Sequence, residues 1–291
     1  MKSNITFVTC IYDDLYGTEL GGRPNPTRKY YYGVESALKM GSPYVIFCWP
    51  KDVEKIENYF IKFLGQDEFE NRIKILPHDL YQTEIREIVE RGKLKDKNIP
   101  DDRCHDVMFG KFLMLQNAIE NNFFDSEYFF WIDAGLSSSS LFPNNHLDLL
   151  DKEKRYNSCF LFTPKVPLEL INKSKEKILL LKNNTRWYAF DKSHLGESDG
   201  SWYIIGGLFG GPKDKMLQLS KDSINSFSYH ITDKDTIYTE EQILTIIYSF
   251  NKENFNFLEF DTWYHEDCGD WVKDKIIGKK NFYKIFEELN A

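Results

Sequence analysis

The sequence predicts an α/β fold in which a mostly parallel sheet is flanked by helices. Residues 128–132 form an unbroken apolar and aromatic run, which is typical of a short strand buried on both faces of a parallel sheet. The first third of the chain alternates strand and helix patterns, as expected for right-handed crossovers between parallel strands. With 291 residues, of which 42% are hydrophobic and 16% aromatic, the chain can form a substantial core.

Composition narrows the classes of partner and compartment. The formal net charge of -8 argues against non-specific binding of nucleic acid. The five cysteines are scattered without a Cys-x-x-Cys pair, which fits a reduced compartment better than a disulfide framework. No signal segment precedes the first strand pattern and no stretch approaches eighteen apolar residues. We therefore expect a cytoplasmic protein without a transmembrane segment and without a nucleic-acid partner.

Polar residues gather at the end of the first predicted strand, which covers residues 5–11. Thr9, Tyr12 and Asp13 lie there, where open α/β sheets bind their ligands. An aromatic ring and an acid at this place can hold a base and a ribose by stacking and by hydrogen bonds to hydroxyls. A loop with an Asp cap explains the same residues and is favoured in the absence of other context.

The next elements continue the alternation of helices and strands. Thr27 is typical of an N-cap for a helix over residues 27–40, which Gly-Ser-Pro at 41–43 would stop. Arg28 in its first turn is a candidate phosphate ligand, although a solvated arginine is the commoner case. A strand is predicted over 44–49, a helix over 51–65 and a strand over 72–76, followed by a helical excursion with a loop over 79–103.

Lys111 lies on the apolar stripe of a helix predicted over residues 105–121. It is four residues from both Val107 and Leu115, so its stem points into that stripe. A buried ammonium group is unfavourable without an anionic partner. We therefore expect Lys111 to reach a phosphate or a site carboxylate, with snorkelling to the edge of the stripe as the alternative.

Asp133 is the leading candidate for a site residue. It follows the buried strand directly and precedes Ala134, Gly135 and a run of serines, so it lies at the carboxyl end of the strand, where a ligand would bind. Ordinary turn chemistry explains Asp-x-Gly equally well, because Asp bonds the following backbone and Gly accepts positive φ.

The second half continues as one predicted domain, 1–291, because no linker separates it from the first 135 residues. A charged helix with solvated lysines is predicted over 172–182, and a strand over 202–205 that runs into a glycine-rich stretch over 206–211. Gly206, Gly207, Phe209 and Gly210 are candidates for a pocket wall, since glycines let the backbone approach a bound molecule closely. A bulge and turn between edge strands is the alternative.

Two further candidates lie nearer the end of the chain. Glu241 opens a predicted helix in which Thr239 and Gln242 form a capping box, and each first-turn acid is stabilised by roughly 0.3–1 kcal/mol. The same carboxylate could orient an acceptor hydroxyl or remove its proton. His265 could complete a metal site begun by Asp133, because imidazole and carboxylate suit manganese as well as zinc, although a lone histidine is more often structural.

Four segments, in this order, resemble the HtrL/YibB family. They read Thr-Phe-Val-Thr-Cys-Ile-Tyr-Asp at 6–13, Trp-Ile-Asp-Ala-Gly at 131–135, Gly-Gly-Leu-Phe-Gly-Gly at 206–211 and Glu-Glu-Gln at 240–242. The resemblance implies a GT-A-like, Rossmann-type enzyme of bacterial surface-glycan synthesis. It implies transfer of a hexose from a nucleotide sugar, a UDP-sugar by preference, to a hydroxyl of a lipopolysaccharide or capsule. The acceptor would be a glycan or lipid-linked glycan, which leaves open a peripheral location at the cytoplasmic face of the inner membrane.

The resemblance also implies roles for individual residues. GT-A enzymes hold a divalent ion with Asp-x-Asp, whereas this chain has a single acid, Asp133, in that motif. Either Asp133 binds Mn²⁺ or Mg²⁺ with His265, or it contacts the donor sugar while Lys111 takes the phosphate charge. Residues 1–135 would bind the nucleotide sugar, and residues 136–291 would bind the acceptor, with Glu241 as the acid near it. The alternatives are a non-catalytic glycan-binding or assembly protein and a sugar-phosphate nucleotidyltransferase.

Overall fold

A computed structural model describes residues 4–12, 27–95, 103–134, 163–183, 203–230 and 240–260. Within these residues the chain forms a seven-stranded mixed sheet in the order β3-β2-β1-β4-β6-β5-β7. The strands are β1 (Ile5–Ile11), β2 (Tyr44–Cys48), β3 (Ile73–Pro77), β4 (Tyr128–Ile132), β5 (Ile178–Asn183), β6 (Tyr203–Pro212) and β7 (Phe255–Phe260). The α/β prediction is therefore confirmed as a mixed sheet flanked by helices.

One strand runs against the others and shapes the edge of the sheet. β1 pairs in parallel with β2 and β4, and β2 with β3, whereas β6 is antiparallel to both β4 and β5. The carboxyl ends of β1 to β4 consequently share one edge, called the carboxyl edge below. Because β6 is reversed, its first residues lie at that edge beside the end of β4.

Helices cover both faces of the sheet. They are α1 (Thr27–Leu38), α2 (Val53–Leu64), α3 (Gln66–Arg72), α4 (Glu84–Lys95), α5 (Arg103–Asn121), α6 (Val166–Ser174), α7 (Lys213–Tyr229) and α8 (Glu240–Phe250). The apolar residues of α1, α2, α3 and α6 share one core cluster with one face of the sheet. Those of α4, α5, α7 and α8 share a second cluster with the other face.

The alternation of side chains explains why the central strands lack polar positions. In β1, Phe7 belongs to one core cluster and Val8 to the other. In β4, Phe130 and Trp131 divide in the same way, and every residue of this strand is buried. A strand covered by helices on both faces must be apolar at successive positions, which is the pattern that its sequence shows.

The expected charged helix over 172–182 is wrong. Helix α6 ends at Ser174, and the next two residues, Lys175 and Glu176, have φ angles of 47° and 66°, which an α-helix cannot accommodate. The following apolar run becomes β5 between β6 and β7. Lys182 lies in this strand, where it is buried and pairs with Glu259 at 2.7 Å, so it does not belong to a solvated face.

The glycine-rich stretch is part of β6, an interior strand, and does not form a turn between edge strands. The bulge that the sequence predicts is present. Leu180 of β5 lies opposite Phe209 of β6, whereas the next residue, Leu181, lies opposite Ile205. Residues 206–208 are thus unpaired on the β5 side while Leu208 still pairs with Ile132 of β4. A bulge at this place leaves Gly206 and Gly207 beside the end of β4.

Candidate functional site

A charge cluster lies at the carboxyl edge, formed by the buried Lys111 and Glu240 and the partly exposed Asp133. The Lys111 Nζ atom is 2.5 Å from Glu240 Oε1 and 3.1 Å from Asp133 Oδ1. The side chains of Lys111 and Glu240 are 6% and 7% exposed, whereas that of Asp133 is 42% exposed. Two consecutive elements, α5 and β4, therefore meet the start of α8, which is distant in sequence, at one ammonium group.

Lys111 is fully engaged by this environment. Its Nζ atom also donates to the Gly206 carbonyl oxygen at 3.2 Å, so its three N–H donors face three oxygen atoms. Burial lowers the pKa of Lys111, but Asp133 and Glu240 together outweigh this effect and raise the pKa above its ordinary value. Of the two partners that the sequence leaves open for Lys111, a phosphate or a site carboxylate, the structure contains the carboxylate.

Asp133 is held through one of its two carboxylate oxygens. Its Oδ1 atom accepts a hydrogen bond from Trp131 Nε1 at 2.7 Å and also faces Lys111. Its backbone nitrogen donates to the Gly207 carbonyl at 2.9 Å, which extends the β4–β6 pairing by one residue. Both side-chain contacts are made by Oδ1, so the other carboxylate oxygen of this 42% exposed side chain stays available to accept hydrogen bonds from a ligand.

Gly206 is the backbone centre of the site. Its carbonyl accepts from Lys111, and its N–H donates to Glu241 Oε1 at 3.1 Å. A Cβ atom at this position would overlap the Glu240 carboxylate and lie 2.9 Å from its Cδ and Cγ atoms. The absence of a side chain is therefore required for α8 to approach the bulge in β6.

The two acids that open α8 occupy different environments. Glu240 is buried against Gly206 and Lys111, whereas Glu241 is partly exposed and contacts the Gly206 N–H. Sequence reasoning missed Glu240, although it precedes Ile243 and Leu244 by three and four residues and so shares their apolar face. The same position argument that selects Lys111 would have found it.

An aromatic stack lies at the carboxyl edge beyond β1, β2 and β3, formed by Tyr12, Trp49 and Tyr81. The Tyr12 ring meets Trp49 edge-on with centroids 5.1 Å apart, and Trp49 stacks on Tyr81 at 5.2 Å and 26°. Tyr12 is buried, so it supports the stack from behind and does not offer the free ring face that its sequence position suggests. The 44% exposed Tyr81 forms the outer end of the stack. Neither Tyr81 nor Trp49 is among the residues predicted from the sequence.

Cys10 connects the aromatic stack with the charge cluster. Burial raises the pKa of its thiol, the Asp133 charge raises it further and Lys111 opposes the rise. Burial raises the pKa of the Tyr12 hydroxyl, and the nearby Cys10 thiol raises it further. Because β1 lies between β2 and β4 in the sheet, Cys10 near the end of β1 lies between the aromatic stack and Asp133 along the carboxyl edge.

Three further residues that the sequence predicts for the site, Thr9, Phe209 and Gly210, are buried in the protein. Thr9 is completely buried, and its hydroxyl has no hydrogen-bond partner among the described residues. Phe209 is also buried, with its ring 5.9 Å from that of Phe112, and Gly210 packs against the Phe130 ring. Phe209 and Gly210 therefore lie in the core and do not line a pocket, whereas Gly206 and Gly207, which are also buried, lie beside the charge cluster, where a role as a pocket wall stays a prediction.

Other predicted positions lie outside what the structure describes. Asp13 and His265 fall outside the described residues, as do Thr239 of the predicted capping box and Gly135 after Asp133. Arg28 lies in the first turn of α1, and its side chain is likewise outside the described part.

The described residues do not assemble a metal site by themselves. No group of three or more His, Cys, Asp or Glu side chains in the described ranges is arranged to hold an ion. Asp133 supplies a single exposed carboxylate next to Lys111, and one carboxylate ligand is too few for a protein-held Mn²⁺ or Mg²⁺. No helix within the described ranges has the length and apolar character needed to cross a membrane.

Comparisons with known proteins do not assign this chain to a family. No protein-family model matches the chain, and no curated protein matches it. One solved structure with a similar outline is 4-diphosphocytidyl-2C-methyl-D-erythritol synthase from Anaerococcus prevotii. It is 9% identical, and the match covers 95% of this chain and 96% of that chain with a TM-score of 0.43.

Proposed function

We infer that the protein is a GT-A-like glycosyltransferase, which binds a nucleotide sugar at the carboxyl edge and transfers the hexose to an acceptor hydroxyl. The observation that carries this proposal is the charge cluster with its exposed Asp133 at the edge where open α/β sheets bind ligands. The sheet order, four parallel strands followed by a reversed β6, supports the GT-A-like fold that the sequence resemblance implies.

The aromatic stack suits the base of the donor. Trp49 and Tyr81 present a planar, partly exposed surface beyond β2 and β3, and such surfaces hold bases by stacking worth about 1–3 kcal/mol per base. Asp133, on the other side of Cys10, is placed to accept hydrogen bonds from sugar hydroxyls. The nucleotide would then extend along the carboxyl edge from the aromatic stack to Asp133.

The charge cluster does not neutralise the diphosphate. Its formal charge is one positive group, Lys111, and two negative groups, Asp133 and Glu240, which sum to -1. Lys111 would have to release one of its oxygen partners to bind a phosphate. Arg28 stays the proposed phosphate ligand, and a divalent ion at Asp133 would need further ligands such as His265.

In the proposed reaction, the acceptor oxygen forms a bond to the anomeric carbon while the bond from that carbon to the diphosphate oxygen breaks. The electron pair leaves with the nucleotide diphosphate, and the acceptor proton passes to a base or to solvent. Glu241 is the proposed acid near the acceptor, because it is partly exposed and anchored to the Gly206 N–H beside the charge cluster. A lipopolysaccharide or capsule glycan is the proposed acceptor on the basis of the family resemblance.

A sugar-phosphate nucleotidyltransferase is the second candidate. The observation in its favour is the aromatic stack at the carboxyl edge, because an enzyme that joins a nucleotide to a sugar phosphate needs a site for the base as much as a glycosyltransferase does. Both reactions would use the same base and sugar contacts, and they differ in which bond of the nucleotide is broken.

Product analysis separates the two enzymes. The protein is incubated with UTP, GTP or CTP plus hexose 1-phosphate, and in parallel with UDP-hexose or GDP-hexose plus a lipopolysaccharide core oligosaccharide, each with manganese. The glycosyltransferase proposal predicts nucleoside diphosphate and an oligosaccharide heavier by one hexose. Pyrophosphate and a nucleotide sugar from the first mixture would establish the nucleotidyltransferase, and no product from either mixture would favour a non-catalytic glycan-binding protein.

A further inference from the structure

Glu240 and Lys111 differ from the rest of the site in that they are buried and yet charged. Neither side chain is exposed enough to bind a substrate, and a buried ion pair is not in general a source of net stability. The pair adds nothing to the packing of α8 that an apolar pair of the same size could not supply. Its contact with the exposed Asp133 is therefore the feature that needs an explanation.

We propose that Glu240 and Lys111 are positioning residues for Asp133. Lys111 holds Asp133 Oδ1 from inside the protein while Trp131 Nε1 holds the same oxygen from β4. With the indole hydrogen bond and the ammonium ion pair on one oxygen, the carboxylate is fixed in one orientation and its other oxygen is presented to the ligand. The role as a ligand contact rests on the proposed function, whereas the positioning of Asp133 does not.

Glu240 sets how strongly Lys111 binds Asp133. The Lys111 ammonium lies between two carboxylates, at 2.5 Å from Glu240 and 3.1 Å from Asp133, so its positive charge is shared between them. Asp133 is therefore not neutralised by a one-to-one ion pair, and its carboxylate can still accept hydrogen bonds from a ligand. Because Glu240 is the first residue of α8, the arrangement also links the start of that helix to Asp133.

Trp131 provides a direct reporter of the position of Asp133. Its indole N–H donates to Asp133 Oδ1 at 2.7 Å, so the indole ¹H–¹⁵N signal is sensitive to any movement of that oxygen. The signal is assigned among the six tryptophans by its loss in Trp131→Phe. Spectra of the wild type, Glu240→Gln, Lys111→Met and the double variant are then compared without any ligand.

We expect the Trp131 signal to move upfield and exchange faster with solvent in both single variants. In Glu240→Gln, Lys111 is drawn towards Asp133 and competes with the indole for Oδ1; in Lys111→Met, Asp133 loses a donor and rotates. In the Lys111→Met background, Glu240→Gln should change the signal little further, because Glu240 acts through Lys111. Lys182→Met is the matched control, since it removes another buried lysine that pairs with a glutamate but has no contact with Asp133.

Binding provides the second measurement. UDP and UDP-glucose are titrated into each variant that retains the far-UV circular dichroism of the wild type. Loss of a well-oriented charged acceptor should weaken UDP-glucose binding by roughly tenfold or more in Glu240→Gln, while UDP, which lacks the glucosyl group proposed to contact Asp133, is unaffected. Lys182→Met should bind both as the wild type does.

The outcomes separate this inference from the proposed function. An unchanged Trp131 signal in Glu240→Gln overturns the positioning role, and this variant decides alone if Lys111→Met fails to fold. A moved Trp131 signal with no binding of UDP or UDP-glucose to the wild type supports the positioning of Asp133 and counts against the UDP-sugar donor. Equal weakening of UDP and UDP-glucose in Glu240→Gln would contradict the sugar contact of Asp133.

Discussion

Replacement of Gly206 by alanine tests whether α8 and β6 meet as closely as described. The new Cβ would lie 2.9 Å from Glu240 Cδ, whereas few real Cβ contacts are shorter than 3.4 Å. Glu240 would therefore have to retreat by at least about 0.5 Å, the difference between these distances, and by more at its overlapped Oε1 atom. That is the atom which binds Lys111.

The expected loss of stability follows from that contact. A hydrogen bond to a charged group contributes about 1.5–3 kcal/mol, and complete removal of one partner from a buried pair costs about 3–5 kcal/mol. Because Glu240 is displaced and not removed, we expect Gly206→Ala to lower the free energy of unfolding by about 2–3 kcal/mol.

Urea unfolding monitored by circular dichroism measures the change in the free energy of unfolding. Alanine substitutions at two other glycines serve as controls. Gly110→Ala, next to Lys111 in α5, would place its Cβ at 3.4 Å from Met114 Cε, so it should be neutral or stabilising by up to about 1 kcal/mol as a helix-interior substitution. Gly210→Ala should destabilise most, because its Cβ would meet the Phe130 ring and the Phe129 carbonyl oxygen at 2.5 Å. A Gly206→Ala protein as stable as the wild type would refute the packing of Glu240 on β6.

Two further predictions concern other parts of the molecule. Burial raises the pKa of Glu35 above 4.5, against a smaller lowering by the Tyr59 hydroxyl, so the folded protein holds this proton more tightly than the unfolded chain does. The wild type should lose stability as the pH rises from about 4.5 through the folded pKa, and Glu35→Gln should gain relative stability in urea unfolding near pH 7 but not near pH 4; an equal difference at both pH values would contradict this. Trp49→Ala or Tyr81→Ala should weaken nucleotide binding by about 5- to 150-fold, from about 1–3 kcal/mol of stacking, in calorimetry. Phe63→Ala, which removes a 45% exposed ring from the far end of α2, should have no effect, and equal weakening by all three changes would count against the aromatic stack as the base site.

Elements such as α5 and β4 could be predicted because their local sequence pattern decides them. The apolar run of β4 and the stripe of α5 are each explained by burial of a strand on two faces or of a helix on one. The position of Lys111 on its stripe predicted an anionic partner, and the structure contains one. Local pattern could not identify that partner, since Glu240 is 129 residues away and is brought close only by the order of the strands.

The wrong and the missed predictions also result from contacts between segments that are distant in sequence. The charged segment before β5 suits a helix by composition, but pairing with β6 and β7 makes its apolar end a strand. Trp49 and Tyr81 become neighbours only because β2 and β3 are adjacent in the sheet, which no local pattern reveals. The bulge in β6 was one of two alternatives at the sequence level, and it is the reversed direction of β6 that places it beside Asp133.

The most direct test of the central claim is calorimetric binding of UDP, GDP and CMP and of UDP-glucose and GDP-mannose, with and without manganese, to the wild type and Asp133→Asn. The account predicts that one nucleotide and its sugar conjugate bind the wild type. It predicts that Asp133→Asn weakens binding of the conjugate by tenfold or more, as for loss of a charged hydrogen bond of about 1.5–3 kcal/mol. The thermal midpoint should change little, because Lys111 keeps Glu240 and the Gly206 carbonyl as partners. Absence of binding by all five compounds under both conditions, or equal binding by Asp133→Asn, would contradict a nucleotide-sugar site at Asp133.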